Sequence, residues 1–355
     1  MREPLGMART ARQRLKRVGV VLVVAVVVEY LVLPQIAGAR RTVHLLGRVN
    51  VGWLLAGVAF EVSAIMSYAA LTRTLLPPGS RPPLGRVARI TLSSLGLSHI
   101  VPGGPAVGSS LGYRLLVNEG VRGSDAGFVL ATQGIGSAVV LNVLLWLGLV
   151  VSIPLRGFNP IYVSAAVVGA LLLAFVGVTV LLLTKGEDQL ASVVCRVADR
   201  LPLVEGDTVA GGLRHAANRL RELGSGAVLF RAIGWATVNW LCDMAALWVF
   251  LAAFGHRTSP DALLISYGVA NVLAAIPLTP GGLGVVEAAL TASLVGFGAT
   301  RGVALLGVVT YRLVNFWLPI PVGAVAFLTL RRGDREPGEL RRVAEAAVDR
   351  PQETA

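Results

Sequence analysis

Charged side chains are scarce in this 355-residue chain: Asp, Glu, Lys and Arg together make up 15%, against about a quarter in water-soluble domains. With 54% of residues hydrophobic and a mean hydropathy of +0.70, that shortage excludes an ordinary soluble enzyme and a disordered chain. Lysine is nearly missing; Lys16 and Lys185 stand alone, and arginine carries the rest of the positive charge. The two cysteines, Cys195 and Cys242, have no CxxC spacing, so there is no disulfide framework. His44, His99, His215 and His256 are scattered without metal-ligand spacing, and no GxxxxGK[ST] phosphate loop occurs. The sequence therefore calls for no cofactor, no metal and no catalytic residue, and it reads as a non-enzyme.

What is abundant is apolar sequence in long runs. The formal charge of +12 and pI near 10.9 are a surplus of the kind that cytoplasmic loops of membrane proteins accumulate. With no soluble domain left to hold a polyanion, nucleic acid is not an expected partner.

Residues 1–17 are basic, with Arg2, Arg9, Arg12, Arg14, Lys16 and Arg17. An apolar run over 18–36 follows, then Ala37-Gly38-Ala39. The run reads either as a cleaved signal peptide or as a retained first span. The retained span is preferred, because the run is long and later spans need a defined orientation. Further spans are expected over about 51–76, 126–153, 160–184, 228–254 and 302–330. Two apolar stretches, 84–122 and 260–299, are interrupted at Pro102-Gly103-Gly104-Pro105 and at Pro280-Gly281-Gly282. Residues 185–226 are polar and amphipathic and are expected to lie on the membrane surface. The predicted protein is thus an all-α polytopic membrane protein with about six full spans and two re-entrant hairpins. It divides into a basic N-terminus (1–17), a membrane domain (18–330) and a charged tail (331–355).

The two interrupted stretches resemble one another. Pro102-Gly103-Gly104 matches Pro280-Gly281-Gly282 at an offset of 178, and Gly120-Val121 matches Gly298-Ala299 at the same offset. Gly52-Trp53 aligns with Gly234-Trp235 at 182, which sets Glu61 opposite Asp243. The repeat unit is span, broken segment, span, over roughly 51–153 and 228–330. Each half around a break has 12 to 17 residues, about 18–25 Å of helix, which falls short of a hydrocarbon core of about 30 Å. Each stretch is therefore expected to turn back to its own side. With both termini in the cytoplasm, 25 of the 32 basic residues fall inside, in keeping with the positive-inside rule. The two units then have opposite orientation, an inverted repeat of the kind used for alternating access.

Broken helices at membrane depth expose backbone amides, and helix N-termini carry partial positive charge. The segments at Pro102, Gly103, Gly104 and at Pro280, Gly281, Gly282 are therefore candidates to hold an anionic group. The competing reading is a tightly packed turn. Charges at this depth usually face a cavity or each other. Glu29, Glu61, Asp243, Glu287 and Arg312 fall within predicted spans, and Arg114 in the returning arm of the first hairpin. A Glu287–Arg312 pair is the preferred contact, serving either a substrate or structure alone. Arg114 either binds a phosphate from the cytoplasmic side or snorkels to headgroups. Glu61 and Asp243 read as proton carriers or as structural acids. Asn142, Asn239, Asn271 and Asn315 are expected to hydrogen-bond between helices, and Trp53, Trp235, Trp240 and Trp317 to pack or sit at the interface.

The run Leu278-Thr279-Pro280-Gly281-Gly282-Leu283-Gly284-Val285-Val286-Glu287 resembles the PxTPGGxGxxE signature of the lysylphosphatidylglycerol synthase transmembrane-region family. Val101 to Gly108, followed by Arg114, is similar to its first PxGxxG…R element, and Tyr311-Arg312-Leu313 to its YR motif. The resemblance covers about 20–330. It implies flippase-like handling of a lipid; in fused relatives a separate soluble domain makes the aminoacylated lipid, and only a short tail follows Arg331 here. The expected cargo is an anionic or aminoacylated phospholipid, or a polyprenyl-linked lipid, moved between leaflets of the plasma membrane. Membrane lipids, and a lipid-synthesising enzyme acting in trans, are the expected partners. The alternative is a membrane-embedded partner subunit of lipid or cell-envelope biosynthesis.

Overall fold

The computed structural model describes residues 51–101, 103–156, some helical positions between 167 and 178, 226–274 and 280–333. The expected N-terminus, first span and Glu29 lie outside the described residues, as do most of 160–184, nearly all of 185–226 and the tail from 334. Besides those scattered helical positions, the described residues form nine α-helices and no strand. Helix α1 is Val51–Leu75, α2 Leu84–Ile100, α3 Gly104–Asn118 and α4 Gly123–Arg156. The second set is α5 Ala227–Ala253, α6 Pro260–Ala274, α7 Val285–Gly296, α8 Arg301–Arg312 and α9 Pro319–Gly333. Among the described residues, four stretches are long and apolar enough to cross a bilayer: Val51–Leu75, Gly123–Leu149, Ala227–Ala253 and Arg301–Arg331. The last joins α8 to α9 through one π-helical turn, Leu313–Trp317.

The interrupted stretches are antiparallel helix pairs. At the tip between α2 and α3, Gly103 adopts φ 71°, ψ 23°, the left-handed turn that lets the chain reverse. Pro105 then sits in the first turn of α3, where a missing N–H costs nothing. A side chain on Gly104 would run into the carbonyl of Ser98, so α2 and α3 touch backbone to backbone there. Gly108 and Gly112 continue that contact against Ser94 and Ser98. At the open end of the pair, Arg86 bridges Glu119 at 2.8 Å. Helices α6 and α7 form the second pair, joined near one end by the Ser266–Ser293 hydroxyl contact at 2.9 Å. On the way into α7, which starts at Val285, the chain makes a 3-10 turn over Pro280–Gly282.

Longer-range packing is reciprocal. Helices α1 and α5 lie antiparallel, with the Phe250 ring over Gly57 and the Asn239 amide donating to the Ala64 carbonyl at 3.0 Å. At one end of this pair, burial and then the neighbouring charges of Arg73 and Arg231 lower the pKa of Arg81 in the α1–α2 connection. Helix α2 of the first pair packs antiparallel on α9, where Gly96 meets the backbone of Pro319 and Gly323 that of Leu92. Helix α6 of the second pair packs antiparallel on α4, with Leu145 against Gly268 and Leu264 against Gly148. The outer surfaces carry exposed apolar side chains such as Leu55, Phe230, Leu241 and Val325, which suit a hydrocarbon solvent.

Candidate functional site

The two hairpins open toward opposite ends and their tips approach one another beside the π-helical turn. From the first hairpin, His99 lies one turn before the break. Its ring stacks on Phe316 at 4.2 Å between centroids and 17° between planes, and Nδ1–H donates to the Phe316 carbonyl at 2.8 Å. From the second hairpin, Gly281 (φ 58°) lies so close to the Phe316 ring that a side chain there would overlap it. Arg312 completes the cluster, its guanidinium 4.4 Å from the Phe316 ring centre. Phe316 itself is buried.

Arg312 is held on three sides. Its Nε donates to Glu287 Oε1 at 2.7 Å and its Nη2 to the Gly281 carbonyl at 3.1 Å, with the ring of Phe316 as the third partner. Both charged side chains are 7% exposed. Glu287 also accepts from the Gly284 N–H through Oε2 at 2.6 Å. That places the carboxylate at the positive end of α7, where an anion is stabilised. The expected pairing of Glu287 with Arg312 therefore forms, and it alters the reading of the second break. The anion at the start of α7 is the chain's own Glu287, so in this arrangement the Gly284 N–H is already taken. Gly282 (φ 69°) is buried in the turn, and Pro280 begins it.

The first break is built differently. Pro105 has no N–H, and the Ala106 N–H donates to Gly103 within the turn at 3.0 Å. Pro102 lies outside the described residues. Arg114 stands elsewhere: ten residues past Gly104, it is about 15 Å along α3 from the tip. It is exposed on the wall of an open groove of 540 Å³ with Ser109, Ser110, Tyr113 and Leu130, between α3 and α4. The tip residues and Arg114 thus do not share one pocket.

A second buried polar cluster adjoins the first. Asp243 on α5 accepts hydrogen bonds from the Tyr267 hydroxyl, from Tyr311 Oη at 3.0 Å and from Asn315 Nδ2 at 2.9 Å. Asn315 Nδ2 also reaches Glu61 Oε2 at 3.4 Å, so one amide faces both carboxyls. Glu61 and Asp243, aligned in sequence by the repeat, therefore meet across the α1–α5 contact. Tyr311 and Arg312 are consecutive, so the end of α8 ties this acidic pair to the ion pair at the second hairpin. The π-helical turn then presents Asn315 to the acids and Phe316 to the hairpin tips. π-turns within α-helices are frequent at functional sites.

The other expectations fare unevenly. Asn239 and Asn315 do bond between helices. Asn271 instead donates to Tyr267 O within its own helix at 2.9 Å, and Asn142 Oδ1 is buried without a partner among the described residues. A helix-borne Asn satisfies the preceding turn when no acceptor faces it. Trp53 packs edge-on against Trp248, Trp240 donates to the Ser137 carbonyl, Trp317 packs edge-on against Phe316, and Trp235 is exposed. His99, Phe316 and Tyr267 were not legible as site residues. Tyr311 carried a signal only through its place beside Arg312.

Relatives extend the picture. Over 88 residues the chain is 30% identical to a UPF0104 membrane protein of Methanothermobacter thermautotrophicus, covering 25% of this chain and 26% of that protein. Over 113 residues it is 26% identical to the inner membrane protein YbhN of Escherichia coli K12, covering 32% and 34%. The chain thus aligns with about a third or less of the length of these curated relatives. The family described as the lysylphosphatidylglycerol synthase TM region matches residues 18–323. Together with the four apolar helices, that match identifies the chain as a multi-pass membrane protein belonging to the lysylphosphatidylglycerol synthase transmembrane-region family.

Proposed function

We propose that the protein is a lipid flippase: it carries the headgroup of an anionic or aminoacylated phospholipid, or of a polyprenyl-linked lipid, across the bilayer while the acyl chains stay in the hydrocarbon. The observation that carries this reading is the meeting of two oppositely opening hairpins at the buried Glu287, Arg312 and Phe316, with half-buried His99 stacked on Phe316. Reciprocal packing supports two inverted units: α1 on α5, the first hairpin on α9 and the second on α4. Rocking one unit against the other would open each hairpin's side in turn. In this reading the Glu287–Arg312 pair opens as the hairpin tips part, and Arg312 with the amide of Gly284 receives the lipid phosphate in place of Glu287. Gly103, Gly104, Gly281 and Gly282, with Pro280, form the tips that allow the approach. Arg114, on its open groove between α3 and α4, gathers the headgroup before entry. Both termini lie in the cytoplasm, and no step of bond making or breaking is assigned.

The test is reconstitution in liposomes with labelled phosphatidylglycerol, aminoacylated phosphatidylglycerol and polyprenyl phosphate, followed by transbilayer movement. Faster movement of at least one anionic lipid is expected, with loss in Arg312→Gln. Rates equal to protein-free liposomes across the whole panel would overturn the reading.

A further inference from the structure

Glu61 and Asp243 are unlike in their surroundings. Asp243 receives three donors: the Tyr267 and Tyr311 hydroxyls and the Asn315 amide. That set matches an ionised carboxylate, which only accepts. Glu61 is 3% exposed, its Oε2 has the long contact to Asn315, and its Oε1 has no hydrogen-bond partner among the described residues. A buried carboxylate oxygen with no donor is costly. The charges facing the pair do not offset it. Cys242 and Asp243 come from α5, Tyr267 from α6, Tyr311 and Arg312 from α8 and Asn315 from the π-turn. Arg312 is the cation of this set, and Glu287 already pairs with it at 2.7 Å. Two adjacent buried acids with no cation of their own accommodate each other most cheaply by holding one proton between them. The donors around Asp243 leave few lone pairs turned inward, so the site does not suit a metal cation, which needs several oxygen ligands.

We propose that Glu61 and Asp243 form an exchangeable proton site, with Glu61 Oε1 as the atom that takes up and releases the proton. Protonation forms one O–H bond on Glu61, with the proton drawn from and returned to water. When the proton leaves, Glu61 and Asp243 repel, and the strain falls on Asn315, Tyr311 and, through the next residue, Arg312. The proton site is thereby linked to the clamp on the second hairpin. Its use in driving lipid movement rests on the flippase reading; its binding chemistry does not.

The experiment is pH-difference infrared spectroscopy on the full chain in phosphatidylcholine–phosphatidylglycerol vesicles. A protonated-carboxyl stretch that appears on acidification, disappears in Glu61→Gln and is unchanged when sodium replaces potassium is the expected result. A band unaffected by E61Q, or one removed by sodium at fixed pH, would overturn the proposal. Should E61Q not fold, Asp243→Asn serves instead, and a titration midpoint unmoved by D243N would count equally against it. Movement of labelled lipid is then measured on the same vesicles under an imposed pH gradient. Wild-type protein that shows the band but moves no lipid defeats the flippase reading alone. Protein that moves lipid without the band defeats the proton site alone.

Discussion

The Arg312–Glu287 pair makes a quantitative prediction. Both side chains are 7% exposed, so water cannot replace a lost partner. Replacing Arg312 by Met leaves Glu287 ionised in the interior with one backbone donor, Gly284 N–H. Removing one member of a buried ion pair costs about 3–5 kcal/mol. Two other contacts go with it: the bond to Gly281 O at 3.1 Å and the cation packing on Phe316. Arg312→Met should therefore fall at the upper end of that range, about 5 kcal/mol, a shift of roughly four-thousandfold in the folding equilibrium. Glu287→Met alone strands the guanidinium against a carbonyl and a ring, at a cost of about 2–4 kcal/mol. In the double variant R312M/E287M no charge is stranded, and its cost should be smaller than that of R312M, with a coupling of at least about 2 kcal/mol. Reversible unfolding in mixed micelles by titrating anionic detergent, followed by near-ultraviolet circular dichroism, measures all three. A double variant whose cost equals the sum of the two single variants, to within about 0.5 kcal/mol, would refute the argument that the two charges depend on one another.

Three further outcomes follow from the same geometry. Gly104→Ala should cost about 1–3 kcal/mol, because its Cβ meets a fixed carbonyl rather than a side chain, whereas Gly103→Ala meets open space and pays chiefly for its positive φ, about 1 kcal/mol; thermal unfolding in micelles gives the order, and the reverse order would refute the backbone contact. Phe316→Ala should cost about 3–5 kcal/mol and expose His99, so acylation of His99 should quicken, whereas unchanged His99 reactivity would contradict the stacking. Glu119→Gln, at a hairpin mouth where Arg86 is 45% exposed, should cost no more than about 1 kcal/mol; a loss like that of R312M would show that the mouth is as dry as the tips.

Much of this was legible because apolar length and glycine placement act locally. Four long apolar stretches formed helical segments long and apolar enough to cross a bilayer, near the expected limits, for instance α5 at Ala227–Ala253 against an expected 228–254. The short halves around the two breaks formed helix pairs because a chain that includes Gly103 at positive φ can reverse there. The Glu287–Arg312 pair was legible because a buried charge needs an opposite one and few were on offer. Less was readable where the partner lay far along the chain. His99 and Phe316 are 217 residues apart, and neither ring differs in sequence from an ordinary buried aromatic. Tyr267 faces Asp243 only because α6 turns that side of its helix inward. Nothing in the run Leu313 to Trp317 announces a π-turn, because the extra residue is accommodated by packing on both sides rather than by a breaker.

The sequence by itself determined the solvent and the punctuation: how much of the chain must lie in hydrocarbon, where helices must stop, and which few charges must find partners there. Those are properties of single segments, decided by transfer energy and backbone freedom. Only the tertiary structure decided that the anion at the second break is Glu287 of the same chain. It alone set Arg114 on a separate groove some 15 Å along α3 from the first tip, and joined two acids, one from α1 and one from α5, through one asparagine. These depend on helix rotation and on contacts between distant segments, which many backbones of the same apolar pattern could satisfy differently and which only side-chain packing selects.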